Sequence, residues 1–239
     1  MKRLFLGQAG ACSTGLATVA LLLCGGCVLM RGRDFGHWAQ SGEEIPMVRV
    51  TGGGERPAPP RDAAMALLPA LSDMPQPQLD TLDKNLLEQA RTYLPVNVVE
   101  VDRKGRLGPY ITRENLMPID GAFNAAEAGR LGRLLDVPYV LCVQVQHYRL
   151  DPPQILSMRL ALIETASFKV MTELTARFDA TEQTTLVAVE KFLRVRISRP
   201  YSQTSLDTVL RSPTEFGLFA AAHCMRAVAM AVWREREKT

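Results

Sequence analysis

The chain is poor in side chains that do chemistry near neutral pH. It holds 3 histidines in 239 residues. His37, His147 and His223 fall in a linker-like stretch, at a strand end and in a helix, and none has a partner at metal-ligand spacing. A phosphate-cradling Gly-Lys-Ser/Thr, a Gly-x-Ser-x-Gly nucleophile elbow, a His-Glu-x-x-His pair and a zinc-spaced cysteine set are all missing. Gly52-Gly53-Gly54 precedes no strand-to-helix turn and reads as linker. A formal net charge of +3 gives no electrostatic footprint for nucleic acid. His223 and Cys224 adjoin, but consecutive residues on a helix point about 100° apart, which does not make a thiol and imidazole dyad. Asp151, Glu164, Glu173 and Asp179 are single acids at strand ends or exposed positions. No catalytic, cofactor-binding or metal-binding residue is assigned, and the expectation is a protein that is not an enzyme.

What the chain does have begins at its front. Met1-Lys2-Arg3 is a short positive region, and residues 16–23, Leu-Ala-Thr-Val-Ala-Leu-Leu-Leu, form an apolar run of the length a signal peptide needs. Gly7, Gln8, Gly10, Ser13 and Thr14 interrupt it on the amino side, which argues against a spanning helix of about 20 apolar residues. Leu23-Cys24-Gly25-Gly26-Cys27 resembles the bacterial lipobox, in which small residues precede an acylated cysteine. Cys27, after two glycines, suits that role better than Cys24, which follows Leu23, and Cys24 stays open as the alternative. The resemblance implies a signal over 1–27, a mature chain anchored by lipid, palmitate included, at Cys27, and, with Val28 rather than Asp next, sorting to the outer membrane facing the periplasm. An ordinary cleaved signal with incidental cysteines is the other reading.

Residues 28–61 are rich in Arg, Gly and Pro and read as a flexible tether, leaving one folded domain over 62–239. Residues 64–71 suit a buried strand. Leu79, Leu82, Leu86, Ala90 and Leu94 recur at helical steps until Pro95 stops them. Asn97 to Val101 reads as a strand. Asn124 and Glu127 form a capping box for a helix that buries Ala128, Leu131 and Leu135. Residues 139–146 read as a central strand. Leu156, Met158, Leu160 and Leu162, then Val170, Thr172, Leu174, Ala176 and Phe178, alternate with polar residues as strands with one buried face, completing a three-stranded meander. Asp179-Ala180-Thr181-Glu182 is a second capping pattern, ahead of Leu186, Val189, Phe192 and Leu193. Ser212-Pro213-Thr214-Glu215 opens a last helix lined by Phe216, Phe219, Ala220, His223, Ala227 and Met230, with a solvated tail from Trp233. The pattern predicts an α/β domain, a mixed sheet of about five strands packed by about four helices. Cys142 and Cys224 are either a disulfide or two buried thiols.

Residues 131–145, Leu-Gly-Arg-Leu-Leu-Asp-Val-Pro-Tyr-Val-Leu-Cys-Val-Gln-Val, resemble the helix-to-strand step of a bacterial envelope group. That group comprises the curli-secretion channel subunit, the lipoprotein activators of penicillin-binding proteins and the amino-terminal domain of TolB. Residues 148–153, 160–164, 178–180 and 212–216 resemble the corresponding hairpin and last helix. The resemblance implies a TolB amino-terminal-domain-like fold and a non-catalytic, membrane-anchored envelope lipoprotein acting as a protein-binding adaptor or an assembly or regulatory factor. An enzyme acting on an envelope polymer, or a subunit of an oligomeric secretion assembly, is the alternative. A protein partner in the envelope and homo-oligomerisation are expected, nucleic acid is not. The candidate contact surface is Gln144, Gln146, Tyr148 and Arg149, polar and aromatic residues emerging beyond an apolar strand. The segment 210–213 before the last helix is a second candidate.

Overall fold

A computed structural model describes residues 47–51, 57–117, 121–197 and 205–233. The signal, Cys24, Cys27 and His37 lie outside the described residues. Six strands form one sheet in the order β1-β6-β5-β4-β2-β3. They are β1 (Val48–Thr51), β2 (Ala64–Leu67), β3 (Asn97–Glu100), β4 (Tyr139–Arg149), β5 (Ile155–Glu164) and β6 (Lys169–Asp179). β2 runs parallel to both β3 and β4, whereas β4, β5, β6 and β1 are antiparallel in sequence. The helices are α1 (Gln76–Tyr93), α2 (Arg113–Leu116), α3 (Ala125–Leu134), α4 (Gln183–Ile197), α5 (Leu206–Arg211) and α6 (Pro213–Trp233), with a 3₁₀ turn at Gly108–Tyr110. The protein is therefore an α/β domain with a mixed sheet.

The sheet separates two cores. One face packs Leu141, Val143, Met158, Leu160, Leu174 and Phe178 under α1 and α6. The other packs Ala66, Val140, Cys142, Ala161 and Ile163 under α3 and the segment holding Ile111, Leu116 and Phe123. Burial on both faces is why β5 departs from the single buried face expected of its alternation: Ala161 and Ile163 are as inaccessible as Leu160 and Leu162. β6 departs for a different reason. A register shift opposite Leu162 and Ile163 leaves Met171 as an extra residue, so Met171 enters the core and Val170, expected inside, is 39% exposed.

α1 forms as its periodicity predicts, burying Leu79, Leu82, Leu86 and Ala90 along one stripe. α6 is long and apolar enough to cross a membrane by length and composition, yet Phe216, Gly217 and Phe219 to Val228 lie buried in this domain, a wider burial than the one face expected. Ser212 caps it as read, its Oγ accepting from Glu215 N at 3.4 Å. Trp233, expected in solvated tail, is half-buried and donates Nε1–H to Pro59 O at 2.9 Å. Asn124 caps α3 through Glu127 N, but the Glu127 carboxylate pairs with Arg130 instead of returning to the cap. Asp179 does not cap α4: its carboxylate accepts from Thr181 N and Oγ1, a turn that precedes the helix.

Part of the stretch read as tether is strand. β1 pairs Val48 with Ala176 and Val50 with Leu174, and Met47, 8% exposed, joins the core. The reason lies in Met47-Val48-Arg49-Val50-Thr51, an alternating, β-branched run set among Gly and Pro.

Close approach of α3 to the sheet depends on Gly132. A Cβ there would lie 2.4 Å from Thr165 Oγ1 and 2.7 Å from Val140 Cγ2. Helix propensity favours alanine by about 1 kcal/mol, while overpacking against a fully buried strand residue costs about 1–3 kcal/mol. Gly132→Ala is expected to destabilise the fold by about 1 kcal/mol net in urea unfolding; a stabilised variant would show that α3 can move off β4.

Candidate ligand-binding cleft

Where β4 ends and β5 begins, α1, the start of α6 and the β4–β5 hairpin line a cleft of about 230 Å³, several water volumes at about 30 Å³ each. α1 supplies Gln78, Thr81, Leu82 and Asn85, the hairpin supplies Arg149, Gln154 and Leu156, and the first turns of α6 supply Thr214, Phe216 and Gly217. Local chemistry fixes each wall. Pro77 sits in the first turn of α1, where its missing N–H costs nothing. Pro213 does the same for α6. Asn85, 8% exposed, donates Nδ2–H to Thr214 O at 3.1 Å and ties the start of α6 to α1. The middle of α1 is held by Asp83, whose Oδ1 accepts from Ala70 N at 2.7 Å and whose Oδ2 accepts from Arg103 Nη2 at 2.7 Å. Burial raises the Asp83 carboxyl above its ordinary range, against the lowering effect of those hydrogen bonds.

The polar atoms of the cleft are unevenly satisfied. Arg149 donates Nε–H to Pro153 O at 2.6 Å and is the one ionisable side chain of the lining among the described residues. Gln154 is 1% exposed, and its carbonyl oxygen accepts from Ala180 N at 2.9 Å. Its side-chain Nε2 meets no partner, and neither does Oε1 of Gln78, another residue of the lining. Leaving a buried amide group unmade costs about 1–3 kcal/mol, and two such atoms of opposite polarity belong to residues of this one small cleft.

Of the residues read from sequence as a contact surface, Arg149 lines this cleft. Gln144 is buried on the α3 side, paired in register with Arg159. Gln146 falls at a bulge between Val145 and His147, its Oε1 accepting from Ser157 Oγ at 3.5 Å. The bulge turns Tyr148 to the opposite face, where its hydroxyl donates to Asp73 O at 3.2 Å. The four side chains do not converge. The second candidate, the segment before the last helix, does reach the cleft through Pro213. Gln78, Gln154 and Asn85 escaped sequence reasoning because a glutamine on a helix or beside two prolines looks like any solvated polar residue.

The buried histidine and the two buried cysteines lie outside the cleft. His223, 3% exposed, donates from Nδ1 to Phe219 O at 2.9 Å, and burial pushes its pKa down to about 4. Cys142 and Cys224 are both free. They lie in the two different cores, on opposite sides of the sheet, which rules out the disulfide left open by the sequence. Burial pushes the Cys142 thiol up to about 12 and raises Cys224 as well, so neither is a thiolate nucleophile near neutral pH. Among the described residues no group of three or more His, Cys, Asp or Glu comes together to hold a metal.

No family model matches the chain, and no curated protein matches it. Among solved structures it is similar to a PelC dodecamer from Paraburkholderia phytofirmans, with 15% identity and a TM-score of 0.40 over 73% of this chain and 97% of that one. It is also similar to a lipoprotein from Neisseria meningitidis, with 13% identity and a TM-score of 0.37 over 57% and 98%. A likeness to TolB from Acinetobacter baumannii has 9% identity and a TM-score of 0.27, over 64% of this chain and 32% of that one. Similarity of this degree is no guide to a shared activity.

Proposed function

We propose that the protein is a non-catalytic envelope lipoprotein, held at the outer membrane by lipid on Cys27 and facing the periplasm, whose domain binds a protein partner through the cleft between α1 and α6. The observation that carries the reading is the lining itself: apolar walls, amides without partners and Arg149 as the ionisable group. A guanidinium holds its proton throughout the physiological range and cannot act as general acid or base. An apolar cleft with a few polar fixing groups is what a binding site requires. The amino-terminal pattern around Cys27 supports the anchor.

Photo-crosslinking tests it. A crosslinking side chain at Thr81, on the cleft wall, is expected in intact cells to give one discrete protein adduct, absent when the probe stands at exposed Arg133 on α3. Equal adducts from both positions, or none from Thr81, would contradict it.

A further inference from the structure

The cleft's chemistry narrows what it accepts. Its two unmet atoms are a donor, Gln154 Nε2, and an acceptor, Gln78 Oε1. A single secondary amide answers both, its carbonyl accepting from the first and its N–H donating to the second. The terminal torsion of a glutamine is broad and roughly two-fold, so each amide can turn to present its nitrogen or its oxygen to an incoming group at little cost, and a secondary amide, with one donor and one acceptor, answers either arrangement. Leu82, Leu156 and Phe216 offer an apolar seat beside them. Arg149 and the first turn of the 21-residue helix α6 bring positive potential to the same cleft, and the lining holds no acid to oppose it among the described residues. Gln154 is buried well beyond nine-tenths, so its unmet donor is a built feature of the fold and no accident of a flexible surface.

On the reading that this cleft is the partner-binding site, we infer that its occupant is the carboxyl-terminal residue of a polypeptide, an apolar side chain seated between α1 and α6. The last peptide group bridges Gln154 and Gln78, and the terminal carboxylate faces Arg149. Two amide hydrogen bonds and one charge-assisted contact give the site its selectivity, and the apolar seat gives it most of its affinity. Gln154 is a polar group the free fold is better off without. Its replacement by methionine, close in shape and free of donors, is expected to leave stability equal or raised, because it removes an unmade hydrogen bond.

The test uses the full-length protein in detergent, labelled with nitrogen-15 at glutamine, and three small probes. N-acetyl-leucine carries the side chain, the amide and the carboxylate. N-acetyl-leucinamide lacks the carboxylate, and 4-methylpentanoate lacks the amide. N-acetyl-leucine is expected to shift the Gln154 side-chain NH₂ resonance saturably at about millimolar concentration, as befits a ligand of its size. Each of the other probes is expected to bind about tenfold more weakly, one hydrogen bond's worth or more. Gln154→Met, unfolding no earlier in urea, and Arg149→Met, which also gives up its bond to Pro153 O, are each expected to lose about tenfold for N-acetyl-leucine. No saturable shift at Gln154 would overturn the inference. Equal binding of 4-methylpentanoate would overturn it in favour of a fatty-carboxylate site, and equal binding of the leucinamide would remove the terminal carboxylate. If the probes fail while the Thr81 crosslink persists, the cleft still binds a partner and only its preference for a chain terminus is wrong.

Discussion

Phe219→Ala is expected to lower the free energy of unfolding by about 3–5 kcal/mol, the range for emptying a buried phenylalanine site, seen as a lower urea midpoint with an unchanged slope. Phe219 is fully buried and joins the helices to the sheet. Its ring centroid lies 5.4 Å from Phe178 on β6 and 5.7 Å from Phe192 on α4, edge-on to both. Phe216, which lines the cleft, sits 5.8 Å away. Edge-to-face pairs add about 0.5–1.5 kcal/mol beyond area burial, and with the His223 ring at 4.4 Å the cavity left by alanine borders four rings. The same substitution is expected to weaken binding at the cleft, because α6 loses the contact that fixes its first turns. A loss below about 1 kcal/mol would mean that α6 is held chiefly by its other residues.

Acid is expected to destabilise the fold through its buried histidine. His223 has a folded pKa of about 4 against an ordinary 6.5, first because it is buried and then because Arg226 is near. Between those values the unfolded chain binds the proton and the folded chain does not, so stability rises with pH. The contribution is complete above about pH 6.5 and is lost as the pH falls towards 4. A shift from 6.5 to about 4 corresponds to about 3 kcal/mol. Asp83 works in the opposite sense, since burial raises its carboxyl, and its contribution grows as the pH falls. His223→Phe, which keeps a ring among Phe178, Phe192 and Phe219, separates the two. The difference between the unfolding free energies of wild type and variant is expected to change by about 3 kcal/mol from pH 7 to pH 4. A difference that stays flat over that range would show that His223 takes up its proton as readily in the folded protein as in the unfolded chain.

The parts of this fold legible in the sequence are those whose signal is local. The α1 stripe of Leu79, Leu82, Leu86 and Ala90 needs only a helical period, and Ser212 with Pro213 marks the start of α6 through the chemistry of a helix end. The β4–β5–β6 meander shows in the alternation of Leu156 to Leu162 and Thr172 to Phe178. What stayed hidden depends on distant partners. β1 is strand because β6 offers an open edge to Val48 and Val50. Met171 replaces Val170 inside because of a register shift set by β5. The placement of Cys142 and Cys224 on opposite faces follows from which helices cover the sheet, and no spacing records that. The cleft is the extreme case. Arg149 and the segment before α6 were visible singly, but Gln78 and Gln154 acquire meaning only when two chain segments 76 residues apart form one lining and leave one donor and one acceptor unmet.

The anchor is the part of the account on which localisation and partner both depend, and intact-mass analysis of the amino-terminal peptide from native membranes tests it most directly. The expected result is a peptide that begins at Cys27 and carries acyl chains on it. A mature terminus without lipid, or an uncleaved signal, would contradict it.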